Sequence, residues 1–147
     1  MLQFLLNTPE ETEAFGAKLF QALPEKCLVF LIGDLGAGKT TLVRGFMRAA
    51  GHKGAVKSPT YNIVEEYQLQ SRLFFHFDLY RLVDPEELEW IGIADYLHEQ
   101  GICFVEWPEK GEGYLGAADV VISISSTEKG RKLEMESLSE KINLTQF

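Results

Sequence analysis

The sequence predicts an α/β fold: a three-layer P-loop NTPase-like domain whose sheet mixes parallel and antiparallel strands. Three observations carry this. Cys27-Leu28-Val29-Phe30-Leu31-Ile32 is apolar without alternation, the pattern of an interior strand covered on both faces. It runs directly into a glycine loop, residues 33–38, and a helical periodicity follows at once. Later strand-like runs come in adjacent pairs, as hairpins do, so the sheet cannot be purely parallel.

Taken in order, Leu2-Gln3-Phe4-Leu5-Leu6 reads as a short strand, and Thr8-Pro9-Glu10-Glu11 as a helix start. Thr8 can cap, Pro9 has φ preset for the first helical position, and Glu11 completes a capping box. Ala14, Phe15, Leu19, Ala22 and Leu23 continue at helical spacing until Pro24. After the glycine loop, Leu42, Val43, Phe46, Met47 and Ala50 form the apolar face of a second helix, which Gly51 can close. Residues 61–69 and 73–78 are rich in β-branched and aromatic side chains and pair as a hairpin. Asp84-Pro85-Glu86-Glu87 repeats the cap, proline and acid pattern ahead of a short helix through Trp90, and residues 93–100 form another segment. Residues 102–106 are a second apolar strand, residues 119–126 and 132–138 a closing hairpin, and the last few residues are expected to fray.

With 147 residues, 46% of them hydrophobic, the chain reads as a single domain over 1–147, and a domain of this size buries roughly 70% of the surface of its unfolded chain. Fourteen Lys and Arg against 22 Asp and Glu leave a net charge of −8, which opposes broad contact with nucleic-acid backbones or anionic lipid. Cys27 and Cys103 sit in apolar runs and offer no metal spacing. His52, His76 and His98 form no metal set either, and only His76 lies beside a candidate site residue, Asp78. No run approaches the roughly 18 apolar residues of a membrane span, and no basic flank with an apolar signal segment opens the chain. These features point to the cytoplasm.

Gly33-Asp34-Leu35-Gly36-Ala37-Gly38-Lys39-Thr40 matches G-x-x-x-x-G-K-[ST] in the required context of strand before and helix after. Glycines let backbone N–H groups close around an anion, and the helix start adds a positive dipole end. Lys39 can reach β- and γ-phosphates, while the Thr40 hydroxyl can ligate Mg²⁺. Such a metal also wants an acid, and two strands end in one: Phe74-Phe75-His76-Phe77-Asp78 and Ile102-Cys103-Phe104-Val105-Glu106. One can hold the metal or its water while the other orients an attacking water; spacing alone does not assign them. Thr60, in Ser58-Pro59-Thr60-Tyr61, has two readings, a γ-phosphate-sensing switch residue or plain turn chemistry. Trp107 likewise serves either the mouth of the site or the core.

Four segments, Gly33-Asp34-Leu35-Gly36-Ala37-Gly38-Lys39-Thr40-Thr41, Ser58-Pro59-Thr60-Tyr61, His76-Phe77-Asp78-Leu79-Tyr80-Arg81-Leu82 and Val105-Glu106-Trp107-Pro108-Glu109, resemble the TsaE family, also called YjeE. The resemblance spans essentially the whole chain, and the last three motifs in this order are specific to the family. It implies a weak Mg²⁺-dependent ATPase that acts with TsaB and TsaD in forming threonylcarbamoyladenosine in tRNAs reading codons that start with A. It further implies that TsaD catalyses the transfer, that tRNA is met only through the complex, and that the protein alone is a monomer. Carried over by position, Lys39 holds phosphate, Thr40 and Glu106 attend Mg²⁺, Asp78 is the Walker B-like acid, Thr60 belongs to a switch loop and Trp107 shapes the site. The same resemblance places the adenine near Asn7 and Thr8, with Arg131 from the closing hairpin, although a capped helix and a solvated turn explain those residues equally.

Two other functions fit a P-loop. A small-molecule kinase would need an arginine-bearing lid to enclose the transferred phosphate, and Arg44, Arg48, Arg72, Arg81 and Arg131 form no such segment. A nucleotide-dependent binding module would exchange partners between ATP and ADP forms. No Asn-Lys-x-Asp guanine-reading segment occurs, so adenine is the expected base.

Overall fold

The computed structural model describes residues 1–59 and 61–147. In chain order the elements are β1 (Leu2–Leu6), α1 (Pro9–Ala22), β2 (Cys27–Ile32), α2 (Lys39–Ala49), β3 (Val64–Leu69), β4 (Arg72–Asp78), α3 (Glu86–Trp90), α4 (Ile93–His98), β5 (Gly101–Glu106), β6 (Val120–Ser126) and β7 (Arg131–Ser137), with 3₁₀ turns at Pro108–Gly111 and Leu144–Gln146. The strands form one seven-stranded sheet in the order β1-β7-β6-β2-β5-β4-β3. Strands β4, β5, β2 and β6 run parallel, and antiparallel partners extend them at both edges. This is the expected mixed α/β sheet.

Side-chain alternation gives the sheet two buried faces. Cys27, Val29 and Leu31 of β2 join a core with Phe15 and Leu19 of α1 and Leu42 and Phe46 of α2. On the opposite face Phe75, Phe77, Cys103 and Val105 pack with Leu88 of α3 and Ile93 of α4, and Leu28 and Phe30 are partly buried against them. Phe46, fully buried, meets the rings of Phe104 and Phe74 edge-on at 4.8 and 5.8 Å, a geometry favoured by the ring quadrupoles. The result is three layers, helices over sheet over helices.

The helix starts behave as their residues dictate. Thr8 Oγ1 accepts from Glu11 N at 3.1 Å, and Glu11 Oε2 accepts from Thr8 N at 3.1 Å, so the capping box is closed. Ahead of α3, Glu87 Oε2 accepts from Val83 N and Asp84 N at 3.0 and 3.1 Å.

Two expectations need correction. The extended run does not begin at residue 61: β3 starts at Val64 because Ile63 takes φ +67° and its N–H donates to Pro59 O at 2.9 Å, making a turn. The C-terminus does not fray. Ile142 is buried, Asn143 N donates to Ala22 O at 3.0 Å, and Phe147 stacks on Phe15 at 5.2 Å; apolar pegs tie down an end whose polar residues suggested none. Among the described residues no helix is long and apolar enough to cross a membrane.

Candidate phosphate-binding site

The glycine loop joins the end of β2 to the start of α2. At Gly33 a β-carbon would come within 2.6 Å of Ile124 O on the β6 backbone, so only glycine lets the loop leave the sheet here. Gly38, the residue before α2, has φ +111°, a conformation that costs an L side chain and suits glycine. These two positions turn the loop so that the first turn of α2, Lys39, Thr40 and Thr41, lines a cavity; the first N–H groups of any helix have no partner within it.

That cavity, about 300 Å³, is lined by loop residues Leu35, Gly36, Gly38, Lys39, Thr40 and Thr41, by Ser58, Asp78, Tyr80 and Glu106, and by Arg131. Lys39 is buried, and its Nζ donates to Gly33 O at 2.5 Å, lies 3.4 Å from Glu106 Oε1 and sits 4.7 Å above the Trp107 ring. The cation is thus held by its own loop, a carboxylate and an indole face. Trp107 is strained at φ +56° and packs on Tyr80 with ring centroids 5.0 Å apart. Its indole Nε1 is buried with no partner among the described residues.

Glu106 is itself buried and has both oxygens engaged, Oε1 by Lys39 and Oε2 by His76 Nε2 at 2.6 Å. Burial pushes its pKa upward, but the hydrogen bond and charge of His76 together with Lys39 outweigh burial and leave it below the usual carboxylate value. Asp78, also buried, accepts from Ser58 Oγ at 2.6 Å through Oδ2 and from Tyr80 N at 3.0 Å through Oδ1. Its own N–H donates to Ile63 O at 2.8 Å, which ties the β4 exit to the turn before β3.

Lys39, Thr40, Thr41, Gly36, Gly38, Leu35, Asp78, Glu106 and Arg131 therefore surround one cavity. Arg131 reaches over the loop and donates to Gly36 O at 3.1 Å. Beside it a smaller pocket of about 110 Å³ is lined by Asn7, Thr8, Pro9 and Thr12, and shares Gly38, Thr41 and Arg131 with the main cavity. Asn7 and Thr8 thus stand next to the glycine loop, with Thr8 Oγ1 already committed to its cap. Gly33, Asp34 and Trp107 line a separate cleft behind the loop, with Ile32 and Glu109, and buried Ala37 packs inward. Thr60 lies outside the described residues.

Sequence reading missed three features: the Ser58 bond to Asp78, Tyr80 in the cavity wall, and His76 as the partner of Glu106. Only half of the last was legible: Phe74-His76-Asp78 alternate with Phe75 and Phe77, which puts His76 on the buried face with Phe74 but does not name Glu106 as its partner. A larger cavity, about 380 Å³, opens beside α4, but Glu66, Asp95 and Glu99 line it and would repel phosphate.

The model of the family described as Threonylcarbamoyl adenosine biosynthesis protein TsaE matches residues 6–133. The chain belongs to the TsaE family. It is 51% identical to the tRNA threonylcarbamoyladenosine biosynthesis protein TsaE of Haemophilus influenzae, over 82% of this chain and 80% of that protein. To the TsaE protein of Bacillus subtilis it is 39% identical over 98% of both chains. The crystal structure of Bacillus subtilis YdiB superposes with a TM-score of 0.78 at 27% identity, covering 99% of this chain and 88% of that one. In this TsaE chain the glycine loop, Asp78 and Glu106 converge from the ends of β2, β4 and β5.

Proposed function

We propose that this protein binds and hydrolyses ATP with Mg²⁺ as an accessory component of threonylcarbamoyladenosine formation in tRNAs reading codons that start with A. In this reading it works in the cytoplasm on a complex of TsaB and TsaD and meets tRNA only through that complex. The observation that carries it is the contact of Lys39 with Glu106 at 3.4 Å inside a cavity closed by the glycine loop.

The donor set fits a hard divalent cation: a Thr40 hydroxyl and the carboxylates of Asp78 and Glu106 all line the cavity. In a complex with nucleotide, Thr40 and Glu106 would hold Mg²⁺, which neutralises charge on the β- and γ-phosphate oxygens. The loop N–H groups and the start of α2 receive the phosphates. Lys39 Nζ exchanges Gly33 O and Glu106 for phosphate oxygens, a short movement because the ammonium already faces the cavity. Asp78, fixed through both oxygens, is placed to orient the attacking water or, with the metal bound, would hold its water shell. Water attacks the γ-phosphorus, the bond to the β–γ bridging oxygen breaks, and ADP and inorganic phosphate leave. Trp107 covers Lys39 from behind, and Thr60 is the switch residue that senses the γ-phosphate. Asn7, Thr8 and Arg131 receive the base and ribose in the adjoining pocket.

The test is ATP hydrolysis by the protein alone and with TsaB, TsaD and tRNA, beside calorimetry with ATP and Mg²⁺. We expect weak turnover alone, stimulation by the partners, and a loss of about 10²–10³-fold in Lys39→Ala, as for removal of one transition-state donor. A folded protein that gives no binding heat with ATP and Mg²⁺ refutes the reading.

A further inference from the structure

Phe74, His76 and Asp78 alternate along β4, and Ile102, Phe104 and Glu106 along β5. Phe74, Ile102 and Phe104 belong to the core under α1 and α2, so His76 and Glu106 share that face. Register pairs His76 with Phe104 and Asp78 with Glu106, which places the imidazole diagonally below the carboxylate, one step deeper in the sheet. Only 1% of the His76 surface is exposed, so the ring lies inside the sheet's buried face.

The two carboxylate oxygens are divided between two neighbours. Oε2 is 2.6 Å from His76 Nε2, on the side of the core, and Oε1 is 3.4 Å from Lys39 Nζ, on the side of the cavity. An ionised carboxylate only accepts, so the proton in the His76 contact belongs to Nε2. His76 Nδ1 is buried with no partner among the described residues, and the imidazole therefore has one strong contact, Glu106. Lys39 is the partner that must leave when phosphate arrives. Once it has left, His76 is the remaining side-chain partner of the carboxylate among the described residues.

We infer that His76 is a positioning residue for hydrolysis: by holding Oε2 through Nε2–H it fixes the plane of the Glu106 carboxylate and leaves Oε1 as the oxygen presented to the nucleotide side. The inference rests on the hydrolytic reading above. Without the imidazole donor the carboxylate would turn about its last torsion, which is broad for Glu, and the presented oxygen would lose its fixed place. Outer partners that orient a ligating group typically matter by 10–100-fold.

The experiment compares His76→Leu, which removes the donor while keeping bulk, with His76→Gln, whose side-chain amide can reach the place of Nε2, and with Glu106→Gln and the His76→Leu/Glu106→Gln double variant. Each is read by ATP affinity, by single-turnover hydrolysis with TsaB and TsaD, and by thermal melting without nucleotide. We expect His76→Leu to lose about 10–100-fold in the hydrolytic step with ATP affinity little changed. His76→Gln should recover most of the rate, and the double variant should be no slower than Glu106→Gln alone. A nitrogen NMR spectrum of the nucleotide-free protein should show the His76 proton on Nε2.

A folded His76→Leu that hydrolyses at the parental rate overturns the inference, as does a folded His76→Gln no faster than His76→Leu. Losses that multiply in the double variant, or an unprotonated Nε2, do the same. If His76→Leu fails to fold, His76→Gln and the NMR assignment decide. Parental protein that never turns over ATP, even with its partners, removes the hydrolytic reading and this inference together, whereas parental turnover with an indifferent His76→Leu removes the inference alone.

Discussion

Asp78 and Glu106 are register partners at the ends of the adjacent parallel strands β4 and β5, so two buried carboxylates leave the sheet side by side toward the loop that carries Lys39. Parallel register is what makes this work: strands running the same way deliver both ends to one edge of the sheet. Each acid is held by different partners, Asp78 by Ser58 and the Tyr80 backbone, Glu106 by His76 and Lys39. Two neighbouring carboxylates thereby have distinct surroundings and can divide two roles.

The Glu106 partners give an acid-linked stability. Its folded pKa lies below the usual 4.5 because His76 and Lys39 outweigh burial, so the folded state releases its proton more readily than the unfolded chain. The stability this supplies is full above the unfolded value and is lost as pH falls through the folded one. We predict that urea denaturation between pH 6 and about 3 shows a fall in stability that is shallower in Glu106→Gln. Equal slopes in the two proteins would contradict it.

Arg131 links the closing hairpin to the loop through its bond to Gly36 O and lines both adjoining pockets. The side chain is only half-buried, so its removal should cost little fold stability, about 0.5 kcal/mol or less. Nucleotide affinity is a different matter, since a charge-assisted contact is worth about 1.5–3 kcal/mol. We predict that Arg131→Ala weakens ATP binding on the order of 10-fold, corresponding to roughly 1.4 kcal/mol, with an unchanged melting temperature. Calorimetry and a melting curve on the same sample check both halves, and undiminished affinity would rule the contact out.

The last residues form part of the folded core. Ile142 is 7% exposed within the core under α1, and Phe147 packs against Phe4 and Phe15. Truncating a buried Ile to Ala costs about 2–5 kcal/mol. We predict for Ile142→Ala a fall in melting temperature on the order of 10 °C; a change of less than about 2 °C, the size of a surface substitution, would mean that the end contributes nothing.

What could be read from the sequence follows from how local each signal is. The glycine loop, the Thr8 and Glu87 caps and the apolar run of β2 are each written within a few consecutive residues, and the fold class follows from them. Asp78 and Glu106 were legible as strand-end acids, but their adjacency depends on a crossover that inserts α3 and α4 between β4 and β5. The His76–Glu106 contact spans 30 residues and a diagonal of the sheet, so no local pattern encodes it. The β3 start was misplaced because Ile63, a β-branched residue suited to strands, is held at positive φ by the Pro59 turn. Ile142 and Phe147 are isolated apolar residues in a polar tail, and only the α1 surface they cover gives them meaning.

Cys27 and Cys103 lie on neighbouring strands but belong to the two opposite cores of the sheet, so they face away from each other and remain free thiols. Burial pushes both up to about 12 from the usual 9.0, with the Asp119 charge adding to the effect at Cys27. The folded state thus keeps its thiol protons over a range in which the unfolded chain loses them. Because the native form binds more protons between those values, stability is unaffected below pH 9, falls as pH rises above it and stops falling near 12. We predict that denaturation midpoints decline from about pH 9 to about 10.5 and that Cys27→Ala combined with Cys103→Ala flattens the decline. Thiolate is also the reactive species, so at pH 8 a thiol reagent should label neither cysteine until denaturant is added. Rapid labelling of the folded protein would show that at least one thiol is neither buried nor protonated.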